Sequence, residues 1–242
     1  MNAAASDKIS RLAYWLLKDV DKAINQYHMI EDGDKVAVAI SGGKDSLTLL
    51  KLLDFRREYI SQKYALDAVH VLGDSQGPTA NVQPELRKYL ETSGIDFHVE
   101  PLDLPAGEPL PMDCHRCTWN RRKTLFQVAH QRGCNKIAMG HHADDLAETT
   151  LLNLVFNGRV ETMAPNASYF NGVFHLIRPL CFLYQKDIDR FSRACGFPNL
   201  PNECPQVENS RREKVSSLIK EVETWGKDFR VNLLRTGLKG IE

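Results

Sequence analysis

The twelve residues Lys35-Val-Ala-Val-Ala-Ile40-Ser41-Gly42-Gly43-Lys44-Asp45-Ser46 decide the fold. The first six are apolar apart from Lys35, and the turn Glu31-Asp-Gly-Asp34 precedes them. That is the pattern of a short strand covered on both faces. A helix follows from about Asp45 to Tyr59, so Ser41–Ser46 joins a buried strand to a helix start. Two glycines let backbone amides converge there, and the helix adds the positive end of its dipole. Such a nest holds an anion, with Lys44 as a point charge. Asp45 suits a helix cap and Ser46 can donate to a phosphate oxygen. The Walker A spacing is not met, because Lys44 lies too close to the first glycine.

The same alternation continues outward from this stretch. Strands are expected at about 66–72, 95–102 and 136–139, and helices at about 82–93, 118–131 and 143–156. Repeated strand and helix units predict an α/β fold, a doubly wound and mostly parallel sheet with right-handed crossovers. Residues 7–28 carry apolar positions at helical spacing and form an amphipathic N-terminal helix. Beyond 158 come extended pieces at 169–177, a helix at about 184–195 and a helical region after Val207. The expected division is an N-terminal helix (1–30), a nucleotide-binding domain (31–200) and a C-terminal helical region (201–242).

Gly140-His141-His142-Ala143-Asp144-Asp145-Leu146-Ala147-Glu148-Thr149 follows the fourth strand at another helix start. Ligands of open parallel sheets bind at the carboxyl ends of strands, so this segment and the 41–46 loop can face one crevice. Asp144 and Asp145 can hold Mg²⁺ beside phosphate oxygens, or one can cap the helix. His141 or His142 can contact phosphate or ribose.

Six cysteines fall at 114, 117, 134, 181, 195 and 204. Only Cys114 and Cys117 are close, in Asp113-Cys114-His115-Arg116-Cys117 before the helix expected at about 118–131. A lone CxxC suits a redox dithiol, half a zinc site or half a cluster site. No second CxxC occurs, and Cys204 in Pro201-Asn-Glu-Cys204-Pro205 is the natural third ligand. Cys134, Cys181 and Cys195 read as small buried hydrophobes.

Composition is that of an ordinary globular protein: 43% hydrophobic, 26% charged and no net charge. A nucleic-acid partner would therefore need local basic patches. Arg121, Arg122 and Lys123 supply one. Arg211, Arg212, Lys214, Lys220, Lys227, Arg230, Arg235 and Lys239 supply another, or form a solvated helical face. No apolar run approaches a membrane span, and no cationic leader opens the chain, so a cytoplasmic location and no membrane partner are expected.

The loop SGGKDS resembles the signature of the PP-loop (N-type ATP pyrophosphatase) superfamily, whose fold is Rossmann-like, of the adenine nucleotide alpha hydrolase type. GHHADDLAET resembles the GHxxDDxxET element of its tRNA-modifying members. Over roughly residues 12–238 the chain is most similar to the tRNA 2-thiocytidine synthetases, the tRNA cytidine 2-sulfurtransferases. The likeness continues in Arg121-Arg122, Ile177-Arg178-Pro179-Leu180, Lys186-Asp187-Ile188 and Phe197-Pro198. It implies that ATP is bound by Ser41, Gly42, Gly43, Lys44, Asp45, Ser46, His141, Asp144 and Asp145, with Mg²⁺. Lys44 and Asp45 would be catalytic. It further implies a [4Fe–4S] cluster on Cys114, Cys117 and Cys204, tRNA as substrate, sulfide or a cysteine desulfurase as sulfur donor, and a homodimer as one assembly. PNECP departs from the family's third-cysteine string, and DDLAET is closer to the 2-thiouridine and lysidine synthetases. Other PP-loop enzymes and a non-catalytic, zinc-stabilised nucleotide- or RNA-binding module are the competing readings.

Overall fold

A computed structural model describes residues 3–79, 81–198, 200 and 211–241, with side chains from residue 7. The elements run α1 (Ala3–Gln26), β1 (Lys35–Ile40), α2 (Lys44–Tyr59), β2 (Ala65–Leu72), α3 (Pro84–Thr92), β3 (Asp96–Pro101), α4 (Cys114–Gln131), β4 (Lys136–Ala138), α5 (Ala143–Asn157), β5 (Asn166–Tyr169), β6 (Phe174–Ile177), α6 (Gln185–Cys195), α7 (Arg211–Glu223) and α8 (Phe229–Lys239). The strands form one sheet in the order β3-β2-β1-β4-β6-β5. Every pairing is parallel except β5 with β6, a hairpin at the edge.

Period-two alternation along β1 divides the core. Val36, Val38 and Ile40 point to the face covered by α1, α2, α3 and α5 to α8. Ala37 points to the face covered by α4, where Val69, Val71, Leu125, Phe126, Ile137 and Leu176 pack. Layers on both faces explain the apolar run Val36–Ile40 of the central strand β1. The amphipathic α1 docks on the first face, and Arg56 Nε of α2 reaches Asp21 Oδ1 at 2.6 Å.

Strand order reverses between β1 and β4, and both strands end at the same edge. That switch point is where an open α/β sheet forms its ligand crevice. The segments following β1 and β4 meet closely there. A Cβ on Gly140 would lie 3.0 Å from Asp45 C and Ser46 N. Only glycine lets the end of β4 pass this near the helix backbone. Gly140→Ala should therefore cost about 1–3 kcal/mol and lower ATP affinity as the loop shifts. Denaturant unfolding and nucleotide titration check this; parent values in both would show that the close approach is unnecessary.

Candidate active site

The 41–46 loop closes on itself. Gly42 has φ 88°, a conformation open to glycine. Gly43 donates its amide to Ser41 Oγ at 3.2 Å. Ser46, buried, donates its hydroxyl to Gly43 O at 2.8 Å and accepts from the Ser41 amide at 3.2 Å. These bonds fix the loop before any ligand arrives. Helix α2 begins at Lys44, one residue earlier than the sequence suggests. Its N-cap is Gly43, without a side-chain capping bond, so Asp45 lies in the first turn and is not the cap. A helix start of this kind, with no side chain capping it, suits an anion.

Lys44 Nζ lies 2.8 Å from Asp45 Oδ1 and 3.5 Å from Asp189 Oδ1 of α6. Burial pulls its pKa down, but the bond and charge of Asp45 and then Asp189 raise it further, so the ammonium stays charged. Sequence spacing gives no hint of Asp189, because only the docking of α6 on α2 brings it there.

Beside the loop lies a cavity of about 380 Å³. Ala39, Val69, Val71, Leu125 and Met139 give it apolar walls; Ser41, Asp45, Ser46, His141, Asp145, Arg121 and Arg122 line it with polar groups. A second cavity of about 350 Å³ opens across the loop at Gly42 and Gly43 and shares Ser41, Val71 and Arg121 with the first.

The two aspartates after β4 occupy different environments. Asp145 faces the first cavity, and its Oδ2 accepts the His142 amide at 3.0 Å to close the α5 N-terminus. Asp145 Oδ1 also meets Arg212 Nη2 of α7 at 3.0 Å. Asp144 is turned to the C-terminal side. It accepts the Gln185 amide at 2.7 Å and pairs with Arg230 Nη1 of α8 at 2.9 Å. Burial would raise the Asp144 pKa, but His142, the Gln185 amide and Arg230 hold it below the usual carboxylate range.

The histidines differ as well. His141 lines the cavity, and burial first, then Arg178, pushes its pKa down to about 4, so it is neutral. Its Nδ1 is buried without a hydrogen-bond partner among the described residues. His142 is buried; burial opposes its charge, but Asp144 and Asp145 outweigh that and raise its pKa.

Helix α4 begins at Cys114, four residues earlier than expected, because Asp113 Oδ1 accepts the Arg116 amide at 2.8 Å as an N-cap. Cys114 and Cys117 therefore share the first turn, exposed and half-buried respectively. One residue on, Thr118 begins the stripe Thr118–Arg121–Arg122–Leu125 that lines the cavity. Cys204 lies outside the described residues. Leu200 packs beside the loop, its Cδ1 3.1 Å from where a Gly42 Cβ would stand. Among the described residues no three His, Cys, Asp or Glu side chains converge on a metal position.

Two arginines of the basic tail are engaged by acids and a third by an aromatic ring. Arg212 bridges Asp145 and Glu148, Arg230 bridges Asp144 and Glu223, and Arg211 lies over the Phe156 ring. These pairs tie α7 and α8 to the acidic start of α5, a role the sequence does not announce.

The model of the PP-loop domain family matches residues 16–221, and the chain belongs to that family. It belongs, within it, to the tRNA-cytidine(32) 2-sulfurtransferase family. The relative of that name from Methylobacillus flagellatus is 36% identical, over 98% of this chain and 79% of its own length. The one from Paracidovorax citrulli is 37% identical, over 93% and 74%. Among solved structures, the U34-tRNA thiolase NcsA from Methanococcus maripaludis, determined with its [4Fe-4S] cluster, shares the fold. Its TM-score is 0.73 at 22% identity, covering 95% of this chain and 81% of that one.

Proposed function

We propose that this chain is an ATP-dependent tRNA sulfurtransferase that replaces the 2-oxygen of a cytosine by sulfur. One observation carries the reading. A single cavity is walled by Ser41, Asp45 and Ser46 of the loop and by the helix that begins with Cys114 and Cys117. A base activated by ATP and a thiolate-held sulfur source can therefore share one chamber.

The β and γ phosphates of ATP rest on the 41–46 loop at the α2 N-terminus, with Lys44 as counter-charge. Asp45 and Asp145 face the same space and are the carboxylates suited to Mg²⁺, which when bound neutralises phosphate charge. Neutral His141 offers a ring nitrogen to phosphate or ribose. The cytosine O2 attacks the α-phosphorus, the bond to the bridging oxygen breaks, and pyrophosphate leaves. Lys44 and the helix start stabilise the charge that develops on the leaving group. A sulfur nucleophile then attacks C2; the C–S bond forms, the C–O bond breaks, and AMP departs without any change of oxidation state.

Two thiols three residues apart on one helical turn fit a soft metal centre, with Cys204 as the expected third ligand. When bound there, an iron–sulfur cluster supplies the sulfide. A cytoplasmic location, sulfide or a cysteine desulfurase as donor, and a homodimer belong to the same proposal. Among the described residues no helix is long and apolar enough to cross a membrane.

Arg121 and Arg122 have no carboxylate partner among the described residues, and both line the cavity. Replacing both by alanine should weaken tRNA binding and flatten its salt dependence by roughly one unit of slope per lost phosphate contact. Unchanged affinity and slope would make them structural. The reading as a whole is tested by the nucleotide products formed with tRNA. AMP and pyrophosphate are expected; ADP and phosphate would exclude adenylation.

A further inference from the structure

Helix α4, one stripe of which lines the cavity, carries on its adjoining flank an exposed aromatic side chain that the reaction above does not use. Trp119 is 51% exposed, in the second turn of α4. Its neighbour Thr118 lines the cavity, and Trp119 projects about 100° further round the helix, on the same flank as the cavity-lining Arg122 three residues on. Arg116 places its guanidinium 5.7 Å from the ring centroid. That guanidinium is itself fixed, because Nε and Nη2 fork onto Glu108 Oε1 and Oε2 at 2.9 and 2.5 Å. An exposed indole normally loses rotamer freedom when it binds. Here a clamped arginine already holds one side of the ring.

We propose that Trp119 is the stacking platform on which a splayed base of a single-stranded RNA loop rests at the entrance to the cavity. The inference rests on the tRNA reading above and deepens it. Two observations favour RNA as the occupant. The ring adjoins Arg122 at i, i+3, and Arg122 lines the cavity together with Arg121; neither arginine has a carboxylate partner among the described residues, and both suit phosphates near the base. An aromatic face beside such charges is also the arrangement that captures unstacked bases. Nearer acids do not cancel the patch, since Glu108 is occupied by Arg116, and Asp103 by Lys123 at 2.7 Å.

The test is equilibrium binding of an unmodified tRNA transcript with cytidine at position 32, comparing the parent chain with Trp119→Ala and Trp119→Phe. Loss of one stacked base should weaken binding about five- to a hundredfold in Trp119→Ala. Trp119→Phe should keep most of the affinity, and the slope against salt should stay at the parent value because no phosphate contact is lost. In a chain whose other tryptophans, Trp15 and Trp225, are phenylalanine, the remaining indole emission should be quenched as tRNA is added. If the parent binds tRNA and Trp119→Ala binds equally well, the platform is wrong while the sulfurtransferase reading stands. A parent that fails to bind tRNA overturns both. An equal fall in ATP affinity would mean that the substitution had disturbed the cavity, and would also count against the platform.

Discussion

Lys44→Ala should lower tRNA-dependent pyrophosphate release about a hundredfold while leaving the fold intact. The magnitude is that of losing one preorganised charge at a developing anion, on the order of 3 kcal/mol. The side chain is a third exposed, and its ion-pair partners among the described residues are Asp45 and Asp189, so its removal opens no core cavity. Asp45 and Asp189 hold the ammonium at the helix start, where it lines a neighbouring cavity with Gly42 and Gly43, and bound phosphate oxygens would compete with these carboxylates for it. Asp45→Ala should also abolish turnover, by removing a carboxylate that faces the cavity. Steady-state pyrophosphate release, with circular dichroism as a fold check, measures both. Near-parent turnover in Lys44→Ala would remove the loop from the chemistry.

The second large effect concerns the thiols. Serine at Cys114, Cys117 or Cys204 should eliminate bound iron and thiolation together, with ATP binding retained. Serine at Cys134, Cys181 or Cys195 should leave all three near parent levels. Among the described residues, the structure separates Cys114 and Cys117 physically from Cys134, Cys181 and Cys195. Burial pushes the Cys134 and Cys195 thiols up to about 11 and Cys181 to about 12, so none offers a thiolate at neutral pH. Cys114 is exposed and Cys117 half-buried on the turn that adjoins the cavity. Iron, sulfide and zinc content of anaerobically purified variants would decide. Iron lost from Cys181→Ser but kept in Cys204→Ser would displace the third ligand, and zinc in place of iron throughout would remove the sulfur-transfer step.

Much of this arrangement is legible in the sequence because it is local. Strand β1, the loop after it and the helix beyond are neighbours in the chain, and their apolar run, glycines and lysine each carry their own signal. The alternation of strands and helices likewise gives the parallel sheet. Boundaries shift where a single side chain decides them. Asp113 caps α4 and draws both cysteines onto the helix, whereas the glycine-rich turn lets α2 start at Lys44.

Long-range pairing is what spacing does not contain. Asp189 reaches Lys44, and Arg212 and Arg230 reach Asp145 and Asp144, because α6, α7 and α8 pack over the first face of the sheet. The two adjacent aspartates look equivalent in the chain. Helical geometry sends their side chains about 100° apart, Asp145 to the cavity and Arg212 of α7, Asp144 to the Gln185 amide and Arg230 of α8.

The central claim is that ATP cleavage and sulfur insertion occur on one base in one cavity. Anaerobic enzyme would be incubated with ATP, Mg²⁺, a sulfide source and unmodified tRNA, and the tRNA then digested to nucleosides. 2-Thiocytidine should form only with ATP present, in step with AMP released. ATP consumed to AMP while every cytidine keeps its oxygen would contradict it.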